Sequence, residues 1–357
     1  MSKGQNSENG KIGGKISFFD KFLPIWIVIC MALGIFLSVV IPGISEAINS
    51  WQVRGISIPI GICLFLMMYP AMLNLQLAEI KKLGKNPKPI VLTLVSNWII
   101  APIIGVTMAI LFLKEEQLIF AIILLSSSPC TAMVLVWGWM AKGNQEQNVI
   151  TTSVNTATII FLYIPVVAFL VFIANITLNK SIPLDPILLL ISLFIFIGAP
   201  LLLGIVSKKV LINSKGKDWF VNMYRPIISK IAIGALLMTL VVLFSLNGQI
   251  LIQRPDLLLL VSIPLLLGFA IVVSINMIIT KLAKLNYRSA IITVIIGSSS
   301  HFEIAIAVAV AMYGVGSIAA LGTTMGLFWE VPIMLSLVYI GRYLNKKGFW
   351  EHHQVKL

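Results

Sequence analysis

Charge is what this sequence has least of: Asp, Glu, Lys and Arg make up 11% of its 357 residues, and only 13 residues are acidic. With 59% hydrophobic residues and a mean hydropathy of +1.01, the chain carries more apolar surface than a soluble core can enclose. No polar stretch between its apolar runs is long enough to be a soluble domain. The three cysteines, Cys30, Cys63 and Cys130, lie inside apolar runs without Cys-x-x-Cys spacing, which argues against a disulfide framework and a closed zinc site. The sequence has no Gly-x-Ser-x-Gly elbow, no His-Glu-x-x-His pair and no phosphate-binding loop, so an enzyme or sensor is the weakest reading and no cofactor is called for. No small-residue cleavage site follows the first apolar run, and the first span is expected to be retained. The formal charge of +13 would suit nucleic acid if it were gathered on one face. It is instead scattered over short loops, so lipid is the expected partner and nucleic acid is not.

What is present is a succession of apolar runs, each long enough to cross a hydrocarbon layer of about 30 Å. They predict ten helices, near 22–42, 56–78, 89–112, 117–141, 148–174, 187–207, 228–247, 257–280, 289–313 and 317–343. The corresponding organisation is a tail at 1–21, a first five-helix set over 22–174, a connector at 175–186, a second set over 187–343 and a tail at 344–357. Loop charge supports this count. Of the 26 Lys and Arg, 22 fall on one side and only Arg54, Lys114, Lys180 and Arg254 on the other. By the positive-inside rule both termini are cytoplasmic, in a multi-pass protein of the cell membrane. An odd number of helices per half makes two related halves insert upside down relative to each other, an all-α architecture of two inverted five-helix repeats. The triple serine at Ser126-Ser127-Ser128 recurs 172 residues later at Ser298-Ser299-Ser300, in the corresponding helix of the second half.

Two places in these spans carry chemistry. Pro129, following the serines, removes a backbone donor and crowds the preceding turn, so the helix should open there; in a bilayer, opened backbone is tolerated only against protein or a wet cavity. Cys130 then sits at the break, where a soft sulfur suits a thiophilic solute. Of the acidic residues only Glu303 and Glu330 lie within apolar runs, and buried carboxylates there are paired, protonated or functional. His301, two residues before Glu303, either joins it in a proton relay or donates one hydrogen bond to a serine or carbonyl. Ser127, Ser128 and Ser300 offer hydroxyls beside these groups.

The stretch Ser128-Pro129-Cys130-Thr131-Ala132-Met133-Val134-Leu135-Val136-Trp137 and the following Ala141-Lys142-Gly143-Asn144 resemble the signature of the arsenical-resistance arsenite efflux permeases, in the bile acid, arsenite and riboflavin transporter superfamily. Phe302-Glu303-Ile304-Ala305-Ile306-Ala307-Val308-Ala309, Glu330-Val331-Pro332, Tyr69-Pro70 and Asn155 extend the resemblance over nearly the whole chain. It implies a core domain with crossing, broken fourth and ninth helices, a panel domain that moves against it, and export of arsenite or antimonite in exchange for protons. By motif match Cys130 is the thiol and Glu303 the proton-coupling carboxylate, with Pro129, Asn155 and Glu330 in support. Ser300-His301 replaces the asparagines of many relatives, and Gly326-Leu327-Phe328-Trp329 their Gly-Pro-Leu. A sodium-coupled uptake carrier for an organic anion on the same scaffold is the second reading.

Overall fold

The computed structural model describes residues 22–350 apart from 42, 54–55, 75–86, 132, 254 and 315. The tails at 1–21 and 351–357, with His352 and His353, lie outside the described residues.

The chain is built from helices. They are α1 (Leu23–Val40), α2 (Ile44–Asn49), α3 (Ile58–Asn74), α4 (Pro87–Phe112), α5 (Glu116–Ser126), α6 (Val134–Met140), α7 (Gln145–Leu178), α8 (Pro186–Lys215), α9 (Arg225–Gln253), α10 (Asp256–Leu282), α11 (Tyr287–Gly297), α12 (Phe302–Tyr313) and α13 (Ile318–Lys346). The sole strands among the described residues, β1 (Gln52–Val53) and β2 (Ile56–Ser57), form a two-residue antiparallel ladder. Among the described residues six helices are long and apolar enough to cross a membrane, and α1, α3, α5, α11 and α12 are shorter and apolar.

Several helices outrun the apolar windows that predict them. The run near 187–207 continues as α8 to Lys215, and after Gly216, at φ 85°, residues 217–224 lead helically into α9. Hydropathy marks where lipid ends, whereas backbone hydrogen bonding continues into the polar zone. At the other end α13 runs to Lys346, and Trp350 folds back to donate its indole N–H to Thr280 Oγ1 at 3.3 Å.

Three π-helical turns, Ser96–Ile100, Phe194–Gly198 and Phe220–Tyr224, share one cause. Each ends two residues before a proline, namely Pro102, Pro200 and Pro226. A proline inside a helix supplies no N–H to the carbonyl four residues earlier and collides with it; widening the turn relieves the clash.

Packing separates lipid-facing from enclosed helices. In most of the long helices about a third of the apolar window is buried, and Leu111, Phe161, Ile187 and Leu259 stand 67%, 73%, 69% and 68% exposed. Apolar surface on this scale is stable only in lipid. By contrast Leu118–Leu125 in α5, Ser289–Gly297 in α11 and Phe302–Val310 in α12 are buried without interruption. Helices apolar on every side belong at the centre of a bundle. α9 packs on α1 and α3, and α8 on α3; α4, α7, α10 and α13 surround the broken helices.

Candidate functional site

Helix breaks occur where the sequence places them. α5 ends at Ser126 and α6 begins at Val134; α11 ends at Gly297 and α12 begins at Phe302. The two breaks meet. Pro129 and Ser300 form an isolated antiparallel bridge, and the His301 backbone N–H donates to the Ser128 carbonyl at 2.9 Å. A proline suits this bridge because it has no N–H needing a partner. The Ser300 N–H is thereby left to donate to Glu330 Oε1 at 3.2 Å, and the Ser300 hydroxyl donates to Glu330 Oε2. Glu330, buried in α13, thus caps the second break with both carboxylate oxygens.

His301 joins the two breaks through its side chain. Its Nε2 lies 3.0 Å from Thr131 Oγ1 on the first break, and its Nδ1 lies 3.1 Å from Glu303 Oε2. The second contact is at ion-pair distance but off the hydrogen-bonding line, so neither atom has an aligned partner. Glu303 occupies the first turn of α12, where the helix dipole favours a negative group. Cys130 is 1% exposed and sits between Pro129, paired with Ser300, and Thr131, bonded to His301. The sequence-predicted residues on the two breaks therefore form one buried constellation: Cys130 on one break, His301 and Glu303 on the other, Glu330 beneath.

The serine hydroxyls are already engaged. Ser127 donates to the Ile123 carbonyl, and Ser128 to the carbonyls of Leu124 and His301 at 3.4 Å each. A solute that takes these hydroxyls must exchange with backbone acceptors. Asn155 lies on α7, fully buried, with both amide atoms lacking a protein partner; Thr158 donates to its carbonyl at 2.9 Å. Beside the second break, Ser96 in the π turn of α4 donates to the Gly297 carbonyl at 2.7 Å, and Asn276 donates to Ser96 Oγ and Ser298 Oγ at 2.8 and 3.0 Å. Ser96 and Asn276 escaped the sequence reading, and Thr131 entered it only within the signature stretch. The buried polar pair Ser96-Asn97 inside an apolar span was the available signal.

A cavity walled by α4, α5 and α10 reaches the second break at Ser299 and Ser300, with Gly105, Ser126, Gly268 and Phe269 in its lining. Neither Cys130 nor Glu303 lines it. Among the described residues no group of three or more His, Cys, Asp or Glu could hold a metal ion.

Comparison with known proteins places the chain among transporters. The family model described as Sodium Bile acid symporter family matches residues 61–254. The uncharacterized transporter slr0944 of Synechocystis is 37% identical over 95% of this chain and 92% of its own length. The arsenical-resistance protein Acr3 of Alkaliphilus metalliredigens is 32% identical over 95% of each chain, and that of Corynebacterium glutamicum 31% over 94% of this chain and 92% of its own. With most of its helices facing lipid, two paired helix breaks and relatives of this kind along its length, the chain is a membrane transporter that belongs to the Sodium Bile acid symporter family and, within it, to the arsenical-resistance permease family of Acr3.

Proposed function

We propose that this protein exports arsenite, and antimonite by the same chemistry, across the cell membrane in exchange for protons, through ten spans arranged as two inverted repeats with both termini cytoplasmic. The observation that carries the reading is the position of Cys130, wedged between two residues that pair with the Ser300-His301-Glu303 segment. The arsenical-resistance relatives favour arsenite as the cargo. On this reading α1, α3, α8 and α9 are the panel and the helices around the breaks are the core.

Arsenite is an uncharged trihydroxy acid at neutral pH, so the membrane potential alone does no work on it, and an inward proton supplies the drive. Open to the outside, Glu303 takes a proton. The carrier turns inward, arsenite engages the Cys130 sulfur and nearby hydroxyls, and the proton leaves to the cytoplasm. His301 transmits solute binding at Thr131 to Glu303 through its two ring nitrogens. One thiol holds the solute weakly enough for release, where a cage of several would trap it. Everted vesicles given arsenite should show proton movement opposite to arsenite uptake, and Glu303→Gln should abolish both. Normal exchange by that variant would reject the scheme.

The family description favours a second reading, sodium-coupled uptake of an organic anion. Flux that requires sodium and ignores a proton gradient would select it.

A further inference from the structure

Among the described residues, buried polar atoms without a protein partner collect on one face of α7. Gln147 Oε1, Asn148 Oδ1, Thr151 Oγ1, Thr152 Oγ1 and both amide atoms of Asn155 are in this state, and each of the five residues is at least nine-tenths buried. At about 100° per residue they fall within an arc of roughly 140°, and at about 1.5 Å rise they extend over roughly 12 Å. The arrangement is held in place. Gln147 Nε2 donates to the Ser289 carbonyl and to Thr293 Oγ1 on α11, and Asn148 Nδ2 donates to the carbonyls of Val134 and Leu135 on α6. The amide nitrogens of Gln147 and Asn148 are thus tied to broken helices, and their oxygens are the unpartnered atoms. At the far end, the Trp98 indole on the π turn of α4 donates to Thr158 Oγ1 on α7. The next residue back, Asn97, is buried with both amide atoms unpartnered. That π turn also holds Gly297, the last residue before the second break, through Ser96.

A buried polar group without a partner costs about 1–3 kcal/mol, and inside a membrane no bulk water relieves it. Six such atoms on α7 and two on Asn97 of α4 are the polar lining that bridging waters need. We propose that this face of α7 is a hydrated proton path from the basic, cytoplasmic end of the helix at Lys142 to the second break and Glu303. The inference rests on the proton-exchange reading and adds the route of the proton.

The test uses the full-length protein in everted vesicles, with arsenite-driven proton flux followed by an internal pH dye. Thr151→Val/Thr152→Val removes two hydroxyls without changing side-chain shape, and Thr151→Ser/Thr152→Ser keeps them. Thr156, on the same helix, already donates to the Thr152 carbonyl at 2.9 Å, so Thr156→Val is the control. The path predicts that proton flux falls roughly tenfold in the double valine variant, that serine restores it, and that the control is unaffected. Unchanged flux in a double valine variant that melts like the wild type overturns the path and leaves proton exchange standing. Absent proton flux in the wild type overturns the exchange reading itself. Sodium-stimulated flux lost in the valine variant assigns the face to a cation and also overturns the path. Should the double variant fail to fold, the single valine variants are read in its place, with the same outcomes.

Discussion

Ser300 shows how much depends on single atoms at the breaks. Its hydroxyl and backbone N–H both serve Glu330, which is buried. Ser300→Ala leaves one carboxylate oxygen without its donor, and about 1–3 kcal/mol of stability should be lost. A lowered melting temperature in detergent checks this, and Ser300→Thr should recover most of it. His301→Phe should uncouple the two breaks while keeping bulk, so proton exchange falls more than stability; equal falls would make the histidine a packing residue. Cys130, Pro129, His301, Glu303 and Glu330 were legible because each is an anomaly in an apolar run, a chemical type that lipid or core excludes without a reason. Thr131, Ser96 and Asn276 were not, because a threonine, serine or asparagine in a span satisfies its own helix as readily as it serves a neighbour. Thr323 does the former, donating to the Ala319 and Ala320 carbonyls one turn back.

At the scale of helices, close approach is bought by small residues. Gly34 on α1 has so little room that a Cβ would lie 2.7 Å from the Val241 carbonyl oxygen and from Phe244 Cβ on α9, and Gly248 on α9 is just as tight against Ser38. Reciprocal glycines let two backbones touch where no hydrophobic drive operates between helices in lipid. Gly34→Ala should destabilise the pair by about 1–3 kcal/mol through overpacking, read as a lower melting temperature. Gly234, with open space around it, should tolerate the same change. The breaks could be read from serine and proline, but their pairing could not. The bridge joins residues 171 positions apart, and no local pattern states which backbone carbonyl an opened segment will meet. The π turns were equally hidden, since Pro70, Pro165, Pro264 and Pro332 sit within helices that show no such widening.

For the whole molecule, hydropathy carried the all-helical, membrane-spanning character because the bilayer imposes it through solvation. Helix lengths beyond the apolar windows, and the return of Trp350 onto Thr280, answer to packing and backbone bonding instead. The asymmetry of 22 against 4 basic residues predicts that a thiol probe confined to the outside reaches a cysteine at position 114 or 180 and not at 142 or 284; the reverse pattern would invert the topology. The central claim is that Cys130, held at the paired breaks, binds arsenite moved by a proton gradient. Arsenite uptake into everted vesicles under an imposed proton gradient, wild type beside Cys130→Ser, tests it most directly. Gradient-dependent uptake that disappears in the variant, while Cys30→Ser and Cys63→Ser retain it, is the predicted result; uptake indifferent to the gradient or to Cys130 would contradict the account.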